Sequence, residues 1–139
     1  MTINEIQNEI IDEFAVFDNK NDVYDYIIEL GKNLQPFPEL HRTEENLIKG
    51  CQSKVWIFPT VEQGKLVFYG DSDSTLVKGL GALVLRVVSN QNANIVAQAD
   101  LFFMDKIGLK SLLSMNRANG LASMVKQIKL YAFALNSEV

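Results

Sequence analysis

Cys51 is the only cysteine in the chain and sits in the run Gly50-Cys51-Gln52-Ser53-Lys54-Val55-Trp56. A lone thiol is often just a small buried apolar group. Here its neighbours are polar or conformationally free. Lys49 and Gly50 precede it, and Gln52, Ser53 and Lys54 follow. They describe a loop that meets water before an apolar strand begins at Val55. The thiolate is the nucleophilic form of cysteine, and two lysines so near in sequence favour it. Such a sulfur can exchange with a disulfide or persulfide, or be oxidised. His41, the only histidine, precedes Cys51 by ten residues. Cysteine with histidine is a familiar nucleophile pair. Nothing in this spacing turns the ring toward the sulfur, so His41 is expected to be a solvated loop residue.

Composition narrows the chemistry. One cysteine and one histidine cannot supply the three or four soft ligands of a structural zinc or an iron–sulfur cluster. No phosphate-binding glycine loop or dinucleotide fingerprint occurs, so no metal or organic cofactor is implied. A net charge of −4 offers no footprint for a phosphate backbone, which argues against nucleic acid. A single thiol forms no internal disulfide and fits a reducing compartment. No apolar run reaches the length of a membrane span, and no leader opens the chain. A soluble, unprocessed, cytoplasmic protein is the expectation. At 139 residues and 47% hydrophobic content, residues 1–139 suffice for one domain with a continuous core.

The elements that must position Cys51 can be read from periodicity. Thr2 caps a helix whose apolar residues Ile3, Ile6, Ile10, Phe14 and Phe17 recur at spacings of three and four. Asp18 to Asn21 break it. A second helix places Val23, Ile27, Leu30 and Leu34 on its inner side, and the two are expected to form an antiparallel pair. Gly31 is either a cap or an interior residue, and Pro36-Phe37-Pro38 stops any helix. Glu39 to Gly50 reads as a loop with one helical turn capped by Thr43.

Lys54 to Thr60 and Lys65 to Gly70 read as a hairpin joined through Glu62-Gln63-Gly64. Val55 and Ile57 share one face, Trp56 and Phe58 the other. Trp56 is a core or rim aromatic, or a contact for a docking partner. Because two strands alone are marginal, a third strand or a broad helical cover is expected.

Asp71-Ser72-Asp73-Ser74 ends the strand and caps the next helix. Thr75 to Val88 is apolar almost all round and should be a central buried helix. Gly79 and Gly81 inside it each cost about 1 kcal/mol relative to alanine. They mark a close crossing, by the cysteine loop or the hairpin. Ser89 to Asn92 close this helix, Asn94 caps a short turn through Gln98, and Leu101 to Leu113 form short helical pieces around Gly108. Ser114 caps a last helix striped by Leu121, Met124, Val125, Ile128, Ala132 and Leu135. Arg117 in its first turn opposes the helix dipole, so it is either exposed without a task or paired with a carboxylate such as Asp73. The fold class is α+β: a small antiparallel sheet covered by helices.

Several blocks in order resemble one family. Gly50-Cys51-Gln52-Ser53 with Val55-Trp56 resembles the active-site segment of the SufE proteins, sulfur acceptors for cysteine desulfurases. Ile27 to Leu34 and Glu44-Glu45-Asn46 are similar to the approach to that segment. Gly70 to Asp73, Val77 to Leu80, and Ser114 to Leu121 are similar to the family's downstream blocks. The resemblance implies the fold shared by SufE and IscU proteins. It implies that Cys51 receives persulfide sulfur from a SufS-like desulfurase and relays it to an iron–sulfur scaffold, with Cys51 tucked inward at rest beside an apolar cavity. Pyridoxal phosphate would belong to the desulfurase. Gly50 would lend the loop freedom, Gln52 and Ser53 would donate hydrogen bonds, Asp73 would hold the loop closed, and Arg117 would join the site. Other readings remain: a relay for a paralogous desulfurase system, a peroxide-reacting thiol protein, and a regulatory binding module. Monomer and homodimer are both open.

Overall fold

The computed structural model describes residues 1–136. Helix α1 (Ile3–Phe14) begins with a reciprocal cap: Thr2 Oγ1 accepts from the Glu5 amide at 3.1 Å, and Glu5 Oε1 accepts from the Thr2 amide at 2.9 Å. Ile3, Ile10 and Phe14 are buried as their spacing predicts, while Phe17 lies beyond the helix. Gln7 is also fully buried, which its polarity conceals. Its amide is satisfied at both ends, donating to the Asp100 carbonyl at 3.1 Å and accepting from the Phe103 amide at 3.0 Å. A buried amide with both partners fixes α1 against the far half of the chain.

Asn19 caps α2 (Lys20–Lys32). Strands β1 (Val55–Glu62) and β2 (Lys65–Ser72) follow as an antiparallel hairpin with Val55 opposite Ser72 and Glu62 opposite Lys65. Gln63 and Gly64, at φ of 54° and 77°, form the two-residue turn whose twist matches the strands. Val55, Ile57, Leu66 and Phe68 are buried on the inner face. Ser74 then caps α3 (Thr75–Val88), its Oγ accepting from the Val77 amide at 3.3 Å.

Helix α3 is the centre of the molecule, touching α1, α2, β2 and the last helix, α7 (Met115–Leu135). Its closest neighbour corrects two expectations. Gly79 is crossed by α2, not by the cysteine loop or the hairpin. A Cβ on Gly31 would lie 2.7 Å from the Gly79 nitrogen, and one on Gly79 would lie 2.1 Å from the Ile27 carbonyl oxygen. Gly31 is thus an interior contact, and α2 lies along α3 rather than pairing with α1. Two facing glycines allow a backbone approach that no side-chain stripe permits. Phe14 of α1 and Phe17 just beyond it meet Tyr26 of α2, the three rings lying 5.1 to 6.0 Å apart, and Tyr26 donates to Glu13 at 2.6 Å. Gly81 faces Met124 of α7.

Between α3 and α7 come α4 (Ala93–Gln98), α5 (Phe103–Lys106) and α6 (Leu109–Leu112). Asn92 rather than Asn94 precedes α4; the Asn94 side chain accepts from Gln98 at 2.9 Å instead. Gly108 turns the chain between α5 and α6 at φ 76°. Ser114 caps α7, which buries Leu121, Met124, Ile128 and Ala132.

Among the described residues the sheet has two strands, which corrects the expected third. Single bridges take its place: Leu47 to Trp56 beside β1 and Gln91 to Leu66 beside β2. Both passing segments turn away too soon for a ladder. Helices supply the cover that makes a two-stranded sheet stable.

The α2–α3 crossing generates the first prediction. Gly79→Ala forces a methyl into the Ile27 carbonyl and should cost about 3 kcal/mol or more, the upper range for overpacking. Gly64→Ala, with open space around it but positive φ, should cost only about 1 kcal/mol. Urea unfolding of both variants checks the difference.

Candidate functional site

The cysteine loop is held at both ends. Upstream, buried Ile48 donates its amide to the Val55 carbonyl at 2.7 Å. Downstream, Lys54 is gripped three times: its amide donates to Asp73 Oδ1 at 3.0 Å, and its carbonyl accepts from the Asp73 amide at 3.2 Å and from Ser72 Oγ at 2.8 Å. These bonds close the loop without touching the sulfur.

Between them the chain turns at Gly50, φ 88°. This is the left-handed region that glycine enters without a Cβ penalty. The turn also brings Gly50 against α7, where an added Cβ would lie 2.9 Å from Ser123 Oγ. Cys51 is half-buried against the core, and its thiol donates a hydrogen bond to the Gly120 carbonyl oxygen at 3.5 Å. Gly120 faces the sulfur directly. The thiol rests against the backbone of a helix, and Cys51 lines none of five cavities found among the described residues, so the adjacent apolar cavity that the resemblance implies is not among them. What covers the sulfur is α7.

Burial pushes the Cys51 thiol above its ordinary value. This corrects the expectation that Lys49 and Lys54 favour the thiolate. Both lysines are exposed, where water screens their charge, whereas the sulfur turns inward. A carbonyl acceptor also selects the protonated form.

The other sequence-predicted residues divide. Asp73 reaches the loop through the Lys54 amide. Arg117 does not meet it: the side chain is exposed and, among the described residues, forms no ion pair. Gln52 is exposed and Ser53 half-buried, and neither side chain is among the hydrogen-bonding groups at the loop. Thr43 makes no capping bond; its segment holds two 3₁₀ turns, Glu39–His41 and Glu44–Asn46. His41 is not merely solvated. Its ring stacks on Phe58 at 3.6 Å between centroids and 10° between planes, on the outer face of the hairpin. Trp56 on the same face lies under Arg42, whose guanidinium is 4.8 Å from the indole centroid. That makes Trp56 a rim aromatic.

Gly120, Ser123, Arg42 and Asp71 were not marked by sequence reasoning. Gly120 carried a signal, since an interior helix glycine costs about 1 kcal/mol and implies a close neighbour. Among the described residues, no group of three or more His, Cys, Asp or Glu side chains gathers as metal ligands. No helix there is long and apolar enough to cross a membrane.

Fold and site together define an α+β domain with one loop cysteine half-buried against its last helix. The family described as SufE, the Fe-S metabolism associated domain, matches residues 8–132, and the chain belongs to it. It is 46% identical over 127 residues to a SufE-like protein of Rhizobium meliloti, covering 88% of this chain and 91% of that one. It is 39% identical to the cysteine desulfuration protein SufE of Wigglesworthia glossinidia brevipalpis, covering 90% of this chain and 88% of that one. In fold it is similar to the solution structure of a hypothetical protein from Thermus thermophilus, at a TM-score of 0.77 and 17% identity, covering 93% of this chain and 94% of that one.

The inward thiol predicts a pH signature. Alkylation of Cys51 in the folded protein should rise with pH through a midpoint above that of an unperturbed cysteine, about 8.5. Folding stability should change with it. The unfolded chain loses its thiol proton first, so the contribution is full below the unfolded pKa and is lost as pH rises toward the folded one. Urea unfolding between neutral and alkaline pH should show this decline in wild type, and Cys51→Ala should flatten it.

Proposed function

We propose that this protein accepts sulfane sulfur from a SufS-like cysteine desulfurase onto Cys51 and passes it toward an iron–sulfur assembly scaffold in the cytoplasm. The observation that carries the reading is the sole thiol of the chain, held on a loop pinned at both ends, half-buried against the core and bonded to the Gly120 carbonyl. Membership of the SufE family supports it, as does a relative named for cysteine desulfuration.

The chemistry is a displacement at sulfur. The desulfurase presents a persulfide on its own cysteine. The Cys51 thiolate attacks the terminal sulfur, a new S–S bond forms on Sγ, and the old S–S bond breaks with its electron pair leaving on the desulfurase cysteine. The proton from Cys51 ends on that leaving thiolate or the new persulfide. One thiol and one persulfide exchange places, so no oxidant or reductant is consumed. Pyridoxal phosphate belongs to the partner, and this chain needs no cofactor of its own.

The roles of the surrounding residues follow from their positions. At rest the thiol is protonated against Gly120, which suppresses side reactions. Docking draws the loop away from α7 and relieves the burial that raises the thiol pKa, so ionisation accompanies exposure. Gly50 supplies the backbone freedom for that movement. Gln52 and Ser53 are available to donate to the partner or to the new persulfide. Asp73 keeps the Lys54 end closed, and exposed Arg117, one turn before Gly120 on α7, meets an acidic group of the desulfurase. A peroxide-reacting thiol needs an ionised, accessible sulfur, and the inward, protonated Cys51 argues against that alternative.

Incubation with a cognate desulfurase and L-cysteine, followed by intact-mass measurement, tests the proposal. Wild type should gain the mass of one sulfur atom, lost again on treatment with a thiol reductant, and Cys51→Ser should gain none. An unchanged wild-type mass beside a turning-over desulfurase would overturn it.

A further inference from the structure

The segment from Phe37 to Leu47 lies across the outer face of the hairpin, and one side chain fastens it. Arg42 grips Glu39 of its own segment through Nε and Nη2, both at 2.9 Å. The same Nη2 lies 2.8 Å from Asp71 Oδ2 at the end of β2. The guanidinium also covers the Trp56 ring and lies 5.2 Å from the centroid of Phe37. His41 on Phe58 continues the cover. Asn46, donating to the His41 carbonyl at 2.8 Å and accepting from Tyr131 of α7 at 3.4 Å, ends it.

Asp71 is the other half of the fastening. Its Oδ1 accepts from the Ser72 amide at 2.8 Å and pairs with Lys78 of α3 at 3.3 Å. The side chains of Arg42 and Asp71 are only 27% and 19% exposed. An ion pair so covered is screened less by salt than a fully exposed one. Burial pushes the Asp71 carboxyl up, but Arg42, the Ser72 amide and Lys78 outweigh it and hold the group below its usual range, so it is ionised at neutral pH.

Both ends of the cysteine loop lead back to this pair. The upstream end is the continuation of the Arg42 segment through Leu47 and Ile48. The downstream end, Lys54, is gripped by Ser72 and Asp73, the two residues that follow Asp71. We propose that Arg42 and Asp71 are positioning residues for Cys51, a latch that keeps its loop seated against Gly120 and whose release frees the thiol. This deepens, and rests on, the reading of Cys51 as the reacting group. It adds that a desulfurase gains access by displacing the Arg42 segment from the Trp56 and Phe58 face, rather than by bending the loop alone.

The test reads the thiol in the free protein, where no desulfurase is needed. Intact mass follows modification of Cys51 by N-ethylmaleimide in wild type, Arg42→Lys, Asp71→Asn and the double variant, with urea unfolding of each in parallel. Lysine keeps the charge but loses the planar two-sided grip and the stacking. Each single variant should be modified about tenfold faster, the equivalent of about 1.4 kcal/mol in the opening equilibrium. The double variant should be no faster than the quicker single, because both changes open one latch. Arg86→Lys, which weakens the ion pairs from α3 to Glu9 and Glu13 of α1, controls for general loss of stability. Rates that stay at the wild-type value, or rise only as far as in Arg86→Lys at matched stability, would overturn the latch. Should the latch fail while wild type still gains sulfur from the desulfurase, the acceptor reading stands alone; should sulfur transfer fail while the latch variants react faster, only the latch survives.

Discussion

The structure depends on the closeness with which α2 crosses α3. Helix α3 is apolar on nearly every side and must be surrounded, but a small domain has few elements with which to do so. Gly31 and Gly79 let one helix lie almost backbone to backbone on it. The space saved leaves the rest of α3 free for α1, β2 and α7. A methyl on either glycine would push α2 outward and open the core around Ile27 and Leu80, both nearly fully buried. Dense interiors do not absorb such displacements gradually. The hairpin and α7 take their places from α3, and the cysteine loop takes its place from them.

At Cys51 the fold separates the contact made by the sulfur from the bonds that anchor its loop. The sulfur is covered by one helix turn, at Gly120, with a single weak hydrogen bond from thiol to carbonyl. Strong bonds are reserved for the loop ends, at Ile48 and Lys54. Breaking the contact at the sulfur therefore costs little compared with unfolding the anchors. Gly50 turns the chain at positive φ and comes close to Ser123 of α7, while Gly120 of the same helix faces the sulfur.

The outer hairpin face shows how a two-stranded sheet does without a third strand. Trp56 and Phe58 would present an apolar surface to water; instead a loop with almost no regular structure lies over them. Its side chains do the covering, through a stacked imidazole and a guanidinium held between carboxylates. Cation–π and ion-pair contacts of this sort are individually modest. All but the imidazole stack are made by Arg42.

Much of the local architecture was legible in the chain. Thr2, Ser74 and Ser114 announce helix starts because capping is a local bond between residues two or three apart, whereas Asn19, read only as a helix break, is the cap of α2. The stripes of α1 and α7 announce themselves because burial on one face imposes a period, and α3 because it is apolar on nearly every side. Gln63 and Gly64 mark a tight turn, and Cys51 stands out because nothing else in the chain can do the same chemistry. Local chemistry and periodicity are properties of the chain alone, and the sequence determines them. It does not say which element meets which. That Gly79 faces Ile27, that Gln7 is buried between Asp100 and Phe103, that His41 lies on Phe58 and that Arg42 rather than Arg117 finds a carboxylate are all pairings between distant residues. Whether the lysines beside Cys51 lower its pKa or burial raises it is likewise decided by where the sulfur points. These outcomes depend on the packing of α3 against its neighbours, since only tertiary structure sets the distances on which contact, desolvation and charge interaction depend.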